Sequence, residues 1–264
     1  MGSATREALT GTRAALAALG RPELQAADDL LAAARVIGES SQLRSALIDP
    51  EADAAQKRAL VDQVFGGRIA PDAVSILTTA ASVRWSSQDD FLAGLEDLGI
   101  RLAAIAAGDG VDLDAELFSF ERTVGGDAEL ELALGSKLGA PAAKARLVER
   151  LLDRGAAPAT TVIVRHLVLQ PRGRRIGEML KHAAAVAADQ RGYDVATVTT
   201  AVPLSSEQLE RLGRSLAGAS GRGIRFDTIV DPAVLGGVRV QIGDDVIDGS
   251  VASRLSSLRQ KLAG

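Results

Sequence analysis

The sequence predicts a mainly α fold: two tandem helical bundles followed by a small α/β domain at the C-terminus. Three observations lead there. Apolar residues recur at helical spacing from the N-terminus to about residue 191. The first half of that stretch matches the second at a fixed shift. Beyond Arg191-Gly192 the apolar period drops from that of a helix to that of a strand.

A leading helix is predicted over Ser3–Leu19. Leu24, Leu30, Leu31, Ala34 and Ile37 mark one amphipathic helix, and Leu60, Val61, Val64 and Phe65 another. Pro71 stands near the start of a further helix, where its missing N–H costs little. A shift of 87 residues then aligns the chain with itself without a gap, giving thirteen identities across residues 24 to 76. Leu30, Arg35 and Gly38 fall on Leu117, Arg122 and Gly125. Leu43, Ala46 and Leu47 fall on Leu130, Ala133 and Leu134. Ala55, Lys57, Leu60 and Val61 fall on Ala142, Lys144, Leu147 and Val148, and Ala70, Pro71 and Ile76 on Ala157, Pro158 and Ile163. A one-residue slip brings Arg84 onto Arg172 and Leu92 onto Leu180. Shared Pro, Lys and Gly positions are not expected of two unrelated Ala/Leu-rich helices. Two such units make two bundles more readily than a solenoid, which needs three or more. The expected division is 1–106 for the first bundle, 107–191 for the second and 192–264 for the α/β domain. The second unit has no leading helix of its own, and the long helix around Leu92–Ala106 stands in its place.

In the last part, Val195, Thr197 and Thr199 alternate with Ala196, Val198 and Thr200, a strand that Pro203 ends. Ser205 and Gln208 have capping-box spacing, with Leu204 and Leu209 placed as a staple, so a helix starts there and runs to about Ala217, where Gly218, Gly221 and Gly223 stop it. Ile224–Val230 is a second strand. Val238, Val240 and Ile242 alternate with Arg239 and Gln241 as a third. Gly243-Asp244-Asp245 reads as a hairpin turn and Val246-Ile247 as the return strand. Asp248 or Ser250 is the N-cap of a last helix with the stripe Val251, Leu255, Leu258 and Leu262.

The composition narrows the function. The net charge of −4 argues against a nucleic-acid binder and against an anchor on an anionic membrane. Zero cysteines exclude disulfides, thiolate metal sites and thiol nucleophiles, and fit a reducing compartment. No apolar run is long enough to span a bilayer, and Arg6, Glu7 and Arg13 interrupt any signal-peptide core, so a cytoplasmic chain is expected.

No catalytic, cofactor-binding or metal site is expected. Asp244, Asp245 and Asp248 lack the closing bidentate Glu and the spacing of a calcium loop, which leaves turn and cap chemistry. His166 and His182 have no ligand cluster around them and read as helix-surface or helix-packing residues. Arg172-Gly-Arg-Arg175 reads as a solvated loop between helices. Gly218–Gly223 leaves a helix instead of opening one and lacks the Gly-Lys-Ser/Thr ending of a phosphate loop. An enzyme with a metal in the Asp-rich turn is therefore the weakest reading.

The stretch DPAVLGGVRVQIGDDVIDGSVASRLSSLRQKL, behind a strand–helix–strand segment and a helical region, resembles one family closely. Asp231, Gly236, Gly237, Ile242, Gly243, Asp244, Val246, Asp248, Gly249, Ser250 and Leu255 all match the pattern of the delta subunit of the bacterial F-type ATP synthase, the relative of the oligomycin-sensitivity-conferring protein. Of these, Asp231, Gly236, Gly237, Gly243, Asp244, Asp248, Gly249, Ser250 and Leu255 are the motif's structural positions. The Arg84 and Arg172 segments each resemble the Arg-centred turn before the last helix of the family's bundle. Family members commonly carry one bundle, so the chain resembles the enlarged actinobacterial forms, some of them fused to a membrane-anchored b-type segment. The family's Tyr-Ala-x-Ala-Leu opening survives as Arg6-Glu7-Ala8-Leu9. The resemblance implies a non-catalytic stator subunit without cofactors, on the cytoplasmic face of the cell membrane. Its partners would be the N-terminal helices of alpha subunits and the C-terminal helices of b subunits. The alternative is a helical-repeat adaptor that binds amphipathic helices of other partners.

Overall fold

The protein was analysed as a computed structural model that describes residues 2–136, 139–153, 155–234, 236–243 and 245–251. The chain divides into two compact units, Met1–Ala187 and Ala188–Gly264.

Eleven helices precede the first strand: α1 (Ser3–Ala17), α2 (Leu24–Glu39), α3 (Ser41–Ile48), α4 (Ala54–Phe65), α5 (Pro71–Ser82), α6 (Gln88–Ala107), α7 (Leu113–Gly125), α8 (Ala128–Gly135), α9 (Pro141–Leu152), α10 (Pro158–Leu169) and α11 (Ile176–Gln190). The repeat is visible in their limits. Shifted by 87 residues, the limits of α3, α4 and α5 coincide with those of α8, α9 and α10. The matched apolar positions are core positions in both copies: Leu30 and Leu117, Leu47 and Leu134, Val61 and Val148, Ile76 and Ile163 are all buried. Lys57 and Lys144 are equally buried at 7% exposure, so even the matched lysines lay their stems on the core.

Local signals explain the helix starts. Ser40 caps α3 by accepting from the Leu43 N–H, and Asp127 at the equivalent position caps α8 by accepting from the Leu130 N–H. Asp53 and Gln56 form a full capping box at α4. Its copy α9 begins with Pro141 instead, and α5 and α10 begin with Pro71 and Pro158. The first turns of α5 and α10 are also held from the side. Asp29 accepts from the Ala70 N–H at 2.7 Å, and Glu116 accepts from the Ala157 N–H at 2.8 Å.

Helix α6 differs from the rest because Leu95 through Ala104 is buried on every face. It packs on α1, α2, α3 and α5, as the last helix of the first bundle, and on α10 as the leading helix of the second. The two predicted bundles are thus joined through one shared helix within one compact unit. Gly99 allows this closeness, since a Cβ there would collide with the Leu31 side chain of α2.

The second unit holds β1 (Tyr193–Thr200), α12 (Ser206–Ser220), β2 (Gly223–Val230), β3 (Val238–Ile242) and β4 (Asp245–Asp248) in sheet order β2-β1-β3-β4. β1 and β2 run parallel, which requires a crossover, and α12 supplies it. β3 runs antiparallel to both β1 and β4. Ala196, Val198 and Val240 form the core, covered by Leu204, Leu212, Leu216 and Phe226 among others. The capping box of Ser205 and Gln208 is present. The helix it opens runs past Gly218 and stops at Gly221, which takes the left-handed conformation at φ 71°. One glycine inside an amphipathic helix costs too little to end it. The predicted final helix, beyond Val251, lies outside the described residues.

Candidate functional site

Arg172, Arg174 and His166 converge on the buried Glu96 of α6. Its side chain is 3% exposed. Arg174 meets it as a fork, with Nη1 donating to Oε1 and Nη2 to Oε2, both at 2.7 Å. Arg172 Nη2 stands 3.2 Å from Oε2, and His166 Nε2 faces the same oxygen at 3.4 Å. On its other side, His166 Nδ1 lies 3.1 Å from Arg35 Nη1 of α2. A guanidinium can only donate, so Nδ1 accepts and the ring proton sits on Nε2, toward Glu96. Burial opposes ionisation of Glu96. The hydrogen bonds of His166 and Arg174 and the charges of Arg172 and Arg174 outweigh that, and hold its carboxyl far below the usual carboxylate range. Burial pushes His166 down, and the same burial lowers Arg172 and Arg35 from the usual guanidinium value.

The 171–175 segment therefore is not the solvated loop that its charge suggests. Arg172 and Arg174 are partly buried and point at a carboxylate inside the bundle. Arg172 also takes φ 49°, the one non-glycine left-handed residue among those described. The sequence reading missed Glu96. A signal was present: Glu96-Asp97 and Arg101 are the charges inside the apolar stretch from Phe91 to Ala107 of the longest helix. Asp97 is engaged too, by Arg101 at 2.8 Å and by Arg13 of α1 at 3.3 Å.

A pH dependence follows from His166. In the unfolded chain the imidazole binds a proton as pH falls through about 6.5, whereas the folded site keeps it neutral. The unfolded state then holds more protons, so stability falls with pH across that range. Glu96 contributes a similar loss only once pH drops into and below the ordinary carboxylate range. The melting temperature should therefore decline between pH 7.5 and 5.5, and the decline should be smaller in His166→Gln.

A depression of about 400 Å³ opens beside the start of α1 and the residues that follow α5, lined by Ser3, Ala4, Glu7, Ala8, Val83 and Arg84. Arg84 is the repeat partner of Arg172. A second hollow of about 280 Å³ lies between α7, α9 and the segment after it. Its carboxylate, Glu116, is already engaged with α10.

In the C-terminal unit the motif residues occupy turns and crossings. Asp231 Oδ1 accepts from the Ala233 N–H, and its own N–H donates to Thr200 O. Gly236 and Gly237 have φ 96° and 86°, and a Cβ on Gly237 would run into the Gly249 carbonyl. Two backbone bonds close this crossing, Gly249 N–H to Val238 O and Val251 N–H to Gly236 O. Gly243, at φ 56°, turns the hairpin between β3 and β4. Asp248 Oδ1 accepts from the Ser250 N–H at 2.9 Å, and its hydrogen bonds with Ser250 lower its pKa. Asp244 and Leu255 lie outside the described residues. The structure thus brings Gly236, Gly237, Gly249 and Ser250 together and leaves Asp231 and Gly243 in separate turns. Val202, Ile229, Val230, Val246 and Ile247 are exposed apolar side chains of this unit.

Among the described residues no three His, Cys, Asp or Glu side chains gather to hold a metal, and no helix is long and apolar enough to cross a membrane. The family model described as ATP synthase delta (OSCP) subunit matches residues 102–262. The chain is 55% identical to the ATP synthase subunit delta of Leifsonia xyli subsp. xyli and 38% identical to that of Streptomyces griseus subsp. griseus, each over the whole of both chains. It also resembles, at TM-score 0.40 and 22% identity, a chain in the cryo-EM structure of the Toxoplasma gondii mitochondrial ATP synthase hexamer, covering 58% of this chain and 87% of that one. The chain belongs to the ATP synthase delta (OSCP) subunit family.

Proposed function

We propose that the depression beside the start of α1 and the residues after α5 receives the amphipathic N-terminal helix of an alpha subunit of the catalytic head, while the C-terminal α/β domain holds the ends of the b-subunit helices. As a member of its family the chain is a non-catalytic subunit of the peripheral stalk. It links the catalytic head to the membrane sector so that proton-driven rotation is coupled to ATP synthesis. In this reading it works at the cytoplasmic face of the membrane, as a peripheral part of the complex. Residues 1–106 and 107–191 act as the two bundles, and 192–264 as the stalk-facing domain.

One observation carries the assignment of the head to the first bundle. An open depression of about 400 Å³ lies at the start of α1, beside the residues that follow α5. A valley between two helices is a standard receptor for the apolar stripe of a third. On the C-terminal unit, the exposed Val246 and Ile247 of β4 and Val202 beyond β1 give the b helices apolar surface to cover. The motif positions Asp231, Gly236, Gly237, Gly249 and Ser250 keep that domain's turns in shape without touching a partner.

The test is a pull-down from native membranes with the full chain as bait. Ala4→Trp fills the depression beside Glu7. It should lower alpha-subunit recovery at least about tenfold, the effect of losing one well-packed interface anchor, and leave b-subunit recovery unchanged. Equal recovery of alpha with the folded variant would sink the assignment.

A further inference from the structure

The stretch 166–175 runs from the last turn of α10 to the residue before α11, and it fastens onto two helices from much earlier in the chain. Gln170 Nε2 donates to the Ala34 carbonyl of α2 at 3.3 Å, and His166 Nδ1 accepts from Arg35 of the same helix. Gly38 of α2 leaves the space that the Gln170 side chain occupies, since a Cβ there would collide with it. Arg174 forks onto Glu96 of α6, Arg172 brings a second guanidinium to that carboxylate, and Arg172 Nη1 donates to the Asp89 carbonyl at 3.5 Å. The backbone reverses to make these contacts, with Arg172 left-handed and Gly173 at φ 79°.

Of these side chains only the imidazole changes charge between pH 5 and 8. The helices packed on α10 are α2, α6, α7 and α9. Arg35 of α2 and Glu96 of α6 face the ring, and Arg172 approaches it from the stretch itself. Glu96 already serves Arg172 and Arg174. The acids of α7 and α9 face other parts of α10. Glu116 accepts from the Ala157 N–H and the Thr160 hydroxyl, and Glu149 lies 3.9 Å from Arg165, which Asp28 of α2 also holds. His166 is 1% exposed, so the protein alone must accommodate a second ring proton. That proton goes to Nδ1. There it removes the acceptor of Arg35, sets two N–H donors against each other and adds a cation beside two guanidinium groups. Burial opposes the charged ring in the same sense.

We propose that residues 166–175 are an acid-released clasp. At neutral pH they fasten the second repeat to α2 and α6, and a proton taken up by His166 frees them while the rest of the helical unit stays folded. The closed clasp holds the ring neutral, and the released ring binds a proton as pH falls through about 6.5. Release is therefore favoured as pH falls and reversed as it rises. The clasp stands on contacts inside the helical unit and is independent of what the protein docks.

Amide hydrogen exchange on the full chain tests this, with rates corrected for the pH dependence of the chemical step. The reporters are the amides of Gln170, Arg174 and Met179, which bond to the carbonyls of His166, Pro171 and Arg175. Release coupled to one proton gains about tenfold per pH unit below about 6.5, so reporter protection should fall about tenfold per unit in that range. Protection should also stay well below that of the middle of α6 at every pH, the sign that the clasp opens by itself. His166→Gln should keep the reporters' protection level with pH. No fall in the wild type, the same fall in His166→Gln, or protection equal to that of α6 overturns the proposal. If His166→Gln fails to fold, Arg35→Gln decides. It removes a cation that the second ring proton meets, so the closed clasp tolerates the charged ring and the fall becomes shallower. An unchanged fall in that variant overturns the proposal as well.

Discussion

Replacing Glu96 with alanine is expected to cost the helical unit about 3–5 kcal/mol, the range for removing one partner of a buried ion pair. The carboxylate is the only acceptor shared by Arg172, Arg174 and His166 in this cluster, and its removal leaves cations near one another with their counter-charge gone. The effect is read as a lower urea midpoint. Glu96→Gln should recover part of the loss, because an amide oxygen still accepts from the Arg174 fork. An unchanged midpoint for the alanine variant would mean that water enters the cluster freely.

The contact between Leu31 and Gly99 should show an effect of similar size, with a compensating partner. Leu31→Ala opens a cavity in a fully buried position and should cost about 2–5 kcal/mol. Gly99→Leu overfills the same spot from the other helix and should cost about 1–3 kcal/mol, with more from the displacement of α2. Combined, the two changes exchange a large residue for a small one across the interface. The double variant should therefore be more stable than the sum of the two losses predicts, by about 1 kcal/mol or more. Strict additivity would show that the two positions do not share space.

Periodic features were legible in the sequence, and partner identities were not. The 87-residue match already contained the equivalence of α3, α4 and α5 with α8, α9 and α10, because identical core positions demand identical helices. The Ser205–Gln208 box and the Gly243 turn could be read locally for the same reason: each is fixed by residues a few positions apart. Glu96 could not be read that way. Its partners come from positions 166, 172 and 174, and nothing in the run around Arg172 says that a carboxylate waits across the bundle. The same holds for α2. Its wide apolar stripe, including Ala27, Leu30, Leu31, Ala34 and Ile37, signals burial on more than one side, but only the fold shows that the second side belongs to the other repeat.

The shared helix α6 has a mechanical consequence. Two domains joined by a flexible linker move against each other by default, and the linker is a soft joint. Here α6 runs without interruption from Gln88 to Ala107 and packs on α1, α2, α3, α5 and α10. A bending load applied at one end of the helical unit finds no compliant element midway. It must deform packed side chains, which are stiff, so the unit behaves as a beam and stores little elastic energy of its own. Any torque it receives is handed on to whatever part of the assembly yields first.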